Sequence, residues 1–164
     1  QNCVFARARM GPEIAGSSLL CRDTFILDMS GPDDADGIYL HDSDGKPLML
    51  NHCVIAFGDD DGVDTLNSQV TIQNCIVRDF SNPNEDAKGI SVFHGNVLVR
   101  RCLVANCYVG VSAKSSGPLA GMSVEHCTID AVTTGVAAAY KSNARVGNIA
   151  IHLRNSIVLA VCRT

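Results

Sequence analysis

A short acidic stretch, FGDDDGVDTLNS at residues 57–68, holds the densest group of potentially reactive side chains in the sequence. Asp59, Asp60, Asp61 and Asp64 surround one glycine, with apolar residues on either side. Carboxylates held a few ångströms apart repel one another unless they are protonated, paired with a cation or bridged by a metal ion. Ca²⁺, which takes about six to eight oxygen ligands, suits such a cluster. The stretch therefore predicts either an acidic turn or a cation site.

Composition and charge limit the class of protein. The 164 residues are 46% hydrophobic and 18% charged, which favours a folded domain over a disordered chain. Because the chain has 17 acidic and 13 basic residues, and therefore a formal net charge of −4, a nucleic-acid partner is not expected. No apolar run approaches the roughly 18 residues of a membrane span. We expect a single domain over residues 1–164.

The sequence repeats one five-residue pattern seven times: two polar residues, a small residue, and two mostly apolar residues. The small residue, here called the slot, lies at positions 3, 24, 53, 75, 102, 127 and 156. Between slots, a second pattern places apolar or small residues one and three positions after a glycine, as in DGIYL, DGVDT, KGISV, VGVSA and TGVAA. A third, Val- and Ile-rich run precedes most slots. Each repeat thus holds three short strand-like runs separated by turn residues.

This repeat predicts an all-β protein, a right-handed parallel β-helix of about six coils, each of roughly 25 residues with three short strands. A leucine-rich repeat would need a Leu–Asn signature that is missing, and a β-sandwich would not keep the slot in phase. Neither end shows an amphipathic capping helix, although open solenoid ends are prone to edge pairing. We therefore expect a segment of a longer chain, or a solenoid that lacks its caps.

The slot also decides what is expected of the eight cysteines. Residues stacked one per coil lie about 4.8 Å apart, which leaves their Cβ atoms slightly too distant for good disulfide geometry. Free, buried thiols are therefore expected for the four interior slot cysteines, Cys53, Cys75, Cys102 and Cys127. Cys107 and Cys162 lie outside the slot, and a bridge from either stays open.

An apolar column follows the slot. Alternation along a strand places this column on the outer face. Either a loop or ordinary scatter explains it, or a homo-oligomer or flanking domain covers it. Its members are Phe25, Val54, Ile76, Leu103 and Ile157, with Thr128 as the exception.

Alternation around the repeated glycine predicts that the positions −1, +2 and +4 point outward. Asp36, Asp61 and Lys88 would then stack on successive coils, with Asp60 and Asp64 beside them. Polar side chains are frequent at these positions in the early coils and rare in the last ones, which indicates a binding or catalytic site on the early coils. Its candidate substrate-binding residues are Tyr39, His41 and Ser91.

The repeats resemble those of the right-handed β-helix proteins of the pectate-lyase-like superfamily along essentially the whole chain. DAKGISVFHGN and YVGVSAKSS are similar to segments of bacterial secreted β-helix repeat proteins, whose activities are mostly unassigned. DDGVD at 60–64 resembles the D-D-G-x-D calcium motif of the family nine pectate lyases. That resemblance implies calcium ligands at Asp60, Asp61 and Asp64, with Asp36 from the preceding coil, and an extracellular or cell-surface location in a bacterium.

The chemistry implied by the resemblance is β-elimination. Calcium on a uronate carboxylate acidifies the C5 proton, a basic side chain removes it, and the C4 oxygen leaves. Where that family has its lysine base, this sequence has Ser91, so Lys88 or Lys114 is the candidate base.

Two functions stay open at this stage. One is a carbohydrate-binding or adhesive β-helix segment that uses the Asp cluster as a calcium site and takes an acidic polysaccharide as partner. The other is an enzyme: a calcium-dependent polysaccharide lyase, or a glycoside hydrolase that uses Asp61 and Asp64 as acid and base. The absence of Trp favours a charged sugar over a neutral one, because neutral-sugar sites usually stack the sugar on aromatic rings.

Overall fold

Strands make up all the regular secondary structure of the computed structural model, which describes residues 1–32, 34–84, 86–140 and 148–160. Within these ranges no helix is long and apolar enough to cross a membrane. The fifteen strands are β1 (Val4–Ala8), β2 (Glu13–Ala15), β3 (Leu19–Arg22), β4 (Phe25–Met29), β5 (Ile38–His41), β6 (Leu48–Asn51), β7 (Val54–Gly58), β8 (Val63–Gln73), β9 (Ile76–Arg78), β10 (Lys88–Arg100), β11 (Leu103–Ser115), β12 (Leu119–Glu125), β13 (Thr128–Tyr140), β14 (Asn148–Arg154) and β15 (Ile157–Ala160).

The strand pairs described are all parallel and build three faces of a solenoid. The first face runs β1-β4-β7-β9-β11-β13-β15. The second runs β2-β5-β8-β10-β11-β13, and the third β3-β6-β8-β10-β12-β14. The long strands β8, β10, β11 and β13 bend from one face to the next. The predicted parallel β-helix is confirmed, with three strands in each coil.

A left-handed backbone conformation turns the chain at the corner before each slot. L-residues adopt it rarely, and Asn and Asp adopt it most readily after glycine. The polar residues of the repeat therefore supply the turn. The residues of this corner have φ between 49° and 55°: Asn2, Asp23, His52, Asn74, Arg101, His126 and Asn155.

The slot needs a small side chain that can both donate and accept a hydrogen bond. The thiol of Cys75 donates to the carbonyl oxygen of Gln73 at 3.1 Å, and its sulfur accepts the backbone N–H of Cys53 at 3.4 Å. Ser156 repeats the arrangement, with its hydroxyl donating to the Arg154 carbonyl oxygen and accepting the N–H of Cys127. Cysteine, serine and threonine can all do this in a tight interior position.

The predicted state of the slot cysteines is confirmed. The four interior slot cysteines are at most 4% exposed and free. Cys107 is also buried and free, so it makes no bridge, while Cys162 lies outside the described residues.

Glycine recurs before the second face because successive coils approach closely there. A Cβ on Gly37 would lie 2.4 Å from the carbonyl oxygen of Gly62, and a Cβ on Gly62 would lie 2.6 Å from that of Gly89. Any larger residue would push neighbouring coils apart. The glycines thus hold the residues on either side of them, which include the acidic cluster, at a fixed spacing.

The apolar column after the slot faces outward as predicted. Phe25 is 48% exposed and Ile157 58%, while Ile76 and Leu103 are each 38% exposed. Val54 in the same column is half-buried. The partners predicted for this column, a second copy or a flanking domain, stay a prediction.

Candidate functional site

Three carboxylates meet at the corner that leads into the second face. Asp36, Asp60 and Asp61 each offer an oxygen, and these oxygens lie within 4.8 Å of one another. Asp36 precedes Gly37 in one coil, and Asp60 and Asp61 precede Gly62 in the next. The repeat therefore brings together three of the four predicted metal ligands. The fourth, Asp64, lies in β8 beside them and lines the same cleft as Asp36.

The prediction that the position before each glycine points to solvent is wrong. Asp36 and Asp61 are 4% exposed, Lys88 is 5% and Val109 is 7%. Strand alternation does not govern the two acids because β5 begins only at Ile38 and β8 only at Val63. Both acids lie in the turn before their strand, Lys88 is the first residue of β10, and Val109 follows a register shift in β11, so regular alternation fixes none of the four.

The two buried acids bind the backbone of the next coil. The N–H of Asp61 donates to Asp36 Oδ1 at 3.1 Å, and the N–H of Lys88 donates to Asp61 Oδ1 at 2.8 Å. Each carboxylate thereby satisfies a buried backbone donor that would otherwise cost free energy. Each also keeps its Oδ2 for another partner, so a structural role and ligand binding are compatible.

Lys88 is held as a cation by its neighbours. Its Nζ lies 3.4 Å from Asp61 Oδ1 and 3.2 Å from Asp86 Oδ2, and it donates to the Asp86 carbonyl oxygen. Burial lowers the pKa of Lys88, but the charges of Asp61 and Asp86 outweigh that effect, so the net shift is upward. A raised pKa leaves less of the lysine deprotonated at neutral pH, so Lys88 is a poorer candidate for a general base.

Burial and mutual repulsion raise the pKa values of the acids. The pKa of Asp36 rises to about 8, first through burial and then through the charges of Asp64, Asp61 and Asp60. Burial is also the largest cause for Asp60, whose pKa rises to about 6, and for Asp61, whose pKa is raised as well. The cluster therefore holds protons near neutral pH unless a cation replaces them.

A cleft of about 430 Å³ opens beside the cluster. Asp36, Asp64 and Tyr39 line it, and Lys114 lines it from a later coil. Of the two predicted lysine bases, Lys114 is the one that lines this cleft; Lys88 is buried in its ion pairs.

Two buried oxygens beside the cleft find no hydrogen-bond partner within the described part of the chain. They are Asp64 Oδ1 and the hydroxyl of Ser91, a residue that is 0% exposed. Asp64 and Ser91 are register partners on β8 and β10. Because an unpaired buried polar group is costly, these two oxygens are suited to accept a further partner.

His41, a predicted substrate-binding residue, lies at the edge of this region between two carboxylates. Its Nε2 is 2.9 Å from Glu13 Oε1 and its Nδ1 is 2.9 Å from Asp42 Oδ2. Hydrogen bonding to Asp42 is the largest cause that raises the pKa of His41. The imidazole also stacks on Tyr39, with ring centroids 4.4 Å apart.

Two acids of the cleft, Glu13 and Asp34, were not expected from the sequence. Glu13 had a usable signal, because GPEIA at 11–15 is an earlier copy of the glycine pattern. A Cβ on Gly11 would lie 1.6 Å from the Gly37 carbonyl oxygen, so Gly11 continues the glycine column. Glu13 then falls in the same column as Tyr39, its register partner.

The fold and this site define a parallel β-solenoid with an acidic cleft at one corner. A scan against protein-family models finds a right-handed beta-helix region over residues 1–129 and again over 61–162. The chain therefore belongs to the right-handed β-helix family, in agreement with the superfamily resemblance of its repeats. Searches of curated proteins and of solved structures found no match. At the level of the family, the fold indicates a carbohydrate-related function.

Proposed function

We propose that this chain is a carbohydrate-binding segment that recognises an acidic polysaccharide through a Ca²⁺ ion held by the Asp cluster. The observation that carries the proposal is the set of oxygens at the cleft. Asp36, Asp60 and Asp61 converge within 4.8 Å, and the buried oxygens of Asp64 and Ser91 find no partner in the described residues. A hard cation that binds oxygen suits this set of ligands.

The donor chemistry fits calcium in a second respect. Asp36 and Asp61 each use Oδ1 for a backbone N–H and leave Oδ2 for a cation. Burial and then mutual repulsion raise their pKa values. A divalent ion would relieve the repulsion, so binding should release protons near neutral pH. The pKa of Asp36, at about 8, makes this release measurable at pH 7.

The cleft also fits a uronate as the bound sugar. A cation on the Asp cluster would offer a ligand position to a sugar carboxylate, and Lys114 adds a positive charge to the lining of the cleft. Tyr39 supplies an aromatic surface beside them. Charged groups therefore dominate the cleft, which favours an acidic polysaccharide over a neutral one.

Calorimetry of chelator-treated protein tests the metal site. We expect Ca²⁺ to bind the wild type with proton release. Asp60→Asn and Asp64→Asn should weaken binding by about tenfold or more, equivalent to about 1.4 kcal/mol. Asp44→Asn is the matched control, because Asp44 is an exposed residue of a turn away from the cluster. Equal affinity in all four proteins, or no binding by the wild type, contradicts the site.

Oligogalacturonate and alginate oligomers test the ligand in a separate measurement. Binding of either should require Ca²⁺ and should weaken in Lys114→Ala without a change in Ca²⁺ affinity. Sugar binding that is equally strong in chelator would refute recognition through the ion while leaving the metal site intact.

A calcium-dependent polysaccharide lyase is the second candidate, favoured by Lys114 as a cleft-lining amine beside the acids. In this function Lys114 would remove the C5 proton of a uronate, and calcium held by the Asp residues would acidify that proton. The test is the absorbance of unsaturated uronate product with and without Ca²⁺. Product that disappears in Lys114→Ala supports the lyase, and no product from polygalacturonate or alginate refutes it for these polymers. A hydrolase that pairs Asp61 with Asp64 has less support, because Asp61 Oδ1 is already bound to Lys88.

A further inference from the structure

Two thiols from successive coils are in contact away from the acidic cleft. The Sγ atoms of Cys21 and Cys53 lie 3.8 Å apart, and Cys53 Sγ also lies 3.7 Å from the Cys21 carbonyl oxygen. Cys53 is 1% exposed, whereas Cys21 is half-buried at the edge of the core. Of the two cysteines, Cys21 is therefore the more accessible.

This pair differs in geometry from the neighbours in the slot column. Slot residues occupy equivalent places in successive coils, so their Cα–Cβ bonds run parallel and their Cβ atoms stay about 4.8 Å apart. A disulfide needs Cβ atoms about 3.5–4.5 Å apart. Cys21 is not in the slot; it lies in β3, where its register partner is Leu50 rather than Cys53. The two side chains therefore reach each other from different positions in their coils and converge at the sulfurs.

We propose that Cys21 and Cys53 are an oxidation-sensitive pair that closes to an intramolecular disulfide when hydrogen peroxide or a related peroxide reaches Cys21. The sulfurs must approach by less than about 2 Å to reach the disulfide bond length of about 2.05 Å. A rotation of the half-buried Cys21 side chain supplies such a movement. The resulting bond joins the coil of Cys21 to the coil that carries Asp60 and Asp61.

The reaction balances with peroxide as the oxidant. The Cys21 sulfur attacks one peroxide oxygen as its thiol proton leaves, the O–O bond breaks, and the released hydroxide takes up that proton, so a sulfenic acid and one water form. The Cys53 sulfur then attacks the sulfenic sulfur as its own proton leaves. The S–S bond forms, the S–O bond breaks, and a second water departs. Two thiols are oxidised and one peroxide is reduced to two waters.

Peptide mapping of the wild-type chain tests the pairing without any variant. The folded protein is treated with hydrogen peroxide, free thiols are alkylated under denaturing conditions, and the chain is cut with trypsin and Asp-N. The cuts place Cys21 in peptide 10–22, Cys53 in 44–58 and Cys75 in 64–78. We expect the first two peptides to be linked, with a loss of two of the eight thiols and of about 2 Da from the intact chain.

Controls separate proximity in the fold from general thiol reactivity. The same treatment in urea should link the cysteines without preference. In the folded state, Cys21→Ser should abolish the linked peptide, whereas Cys3→Ser, which removes an exposed thiol, should leave it unchanged. A folded protein in which peptide 44–58 links mainly to 64–78 overturns the proposal. So does one in which Cys21 stays fully alkylated while Cys3 is oxidised.

Discussion

Replacing Asp36 by Asn should remove much of the pH dependence of stability in the metal-free protein. Asp36 is 4% exposed and accepts the N–H of Asp61 through Oδ1. An Asn side chain has nearly the same shape and can still accept that bond through its own Oδ1. The variant therefore changes the charge at this position while it preserves the backbone contact between the coils.

The direction of the effect follows from the raised pKa of Asp36. Burial, followed by the charges of Asp64, Asp61 and Asp60, raises this pKa from 3.8 to about 8. Between these two values the folded state keeps a proton that the unfolded state has lost, so stability falls as the pH rises. The contribution is complete below the unfolded pKa of 3.8 and is lost as the pH passes through about 8.

The magnitude is large enough to measure. One such group changes the free energy of unfolding by about 1.4 kcal/mol per pH unit within this window, or by about 6 kcal/mol in all. Asp60 and Asp61 share the same repulsion, so removal of one charge also lowers their pKa values, and about 6 kcal/mol is an upper bound for Asp36 alone. We expect Asp36→Asn to be more stable than the wild type at pH 8, with a smaller advantage at pH 5.

Urea denaturation in the presence of a chelator, followed by circular dichroism at several values between about pH 5 and about pH 8, measures this slope. Asp44→Asn, a change at an exposed turn residue, should follow the wild-type profile. An Asp36→Asn profile that runs parallel to the wild type would refute the coupling of these acids.

Three further substitutions test the fold and the ion pair. Gly62→Ala should lower the free energy of unfolding by about 2–4 kcal/mol in urea, because its Cβ would lie 2.6 Å from the Gly89 carbonyl oxygen; a loss under about 0.5 kcal/mol would contradict the close approach. Arg101→Asn should raise it by about 0.5–1 kcal/mol, because Arg101 has φ of 49° and Asn tolerates that conformation better; lower stability would count against the conformational explanation. Lys88→Met should destabilise the metal-free protein by about 3 kcal/mol at pH 8, because it leaves Asp61 buried without its cation. The deficit should shrink at pH 5, where Asp61 is protonated, and an equal deficit at both values would refute the electrostatic cause.

The fold was predictable because the slot residue and the repeated glycine each satisfy a structural requirement that recurs from coil to coil. A slot residue such as Cys75 must fit inside and bond two backbone groups, and few residue types can do so. A glycine such as Gly62 must let two coils approach within the reach of a Cβ. Requirements of this kind leave a periodic trace in the sequence, and periodicity is what predicts a solenoid.

The direction of the acids was not predictable from the same periodicity. Alternation tells inside from outside only within a strand, and Asp36 and Asp61 precede the strands of their coils. Their burial depends on a turn that points each carboxylate at the N–H of the next coil. Glu13 was missed for a different reason, since its copy of the glycine pattern carries a proline and is the least regular of the series.

The two roles of Asp36 and Asp61 make the proposed metal site open to a quantitative check. The backbone bonds that hold these carboxylates in place also keep them buried and near each other, and this burial, followed by their mutual repulsion, raises their pKa values. An ion that relieves this repulsion must bind more tightly as the pH rises, because fewer protons then compete for the same oxygens.

The pH dependence of stability gives an independent count of these protons. By linkage, the number of protons released on binding Ca²⁺ must equal the difference between the pH slopes of the free energy of unfolding in saturating calcium and in chelator, divided by 2.303RT. Calorimetry in buffers of different ionisation enthalpy gives the first quantity and urea denaturation gives the second. Agreement near one proton or more would assign the ion to these acids, whereas calcium binding with no change in slope would locate it elsewhere on the chain.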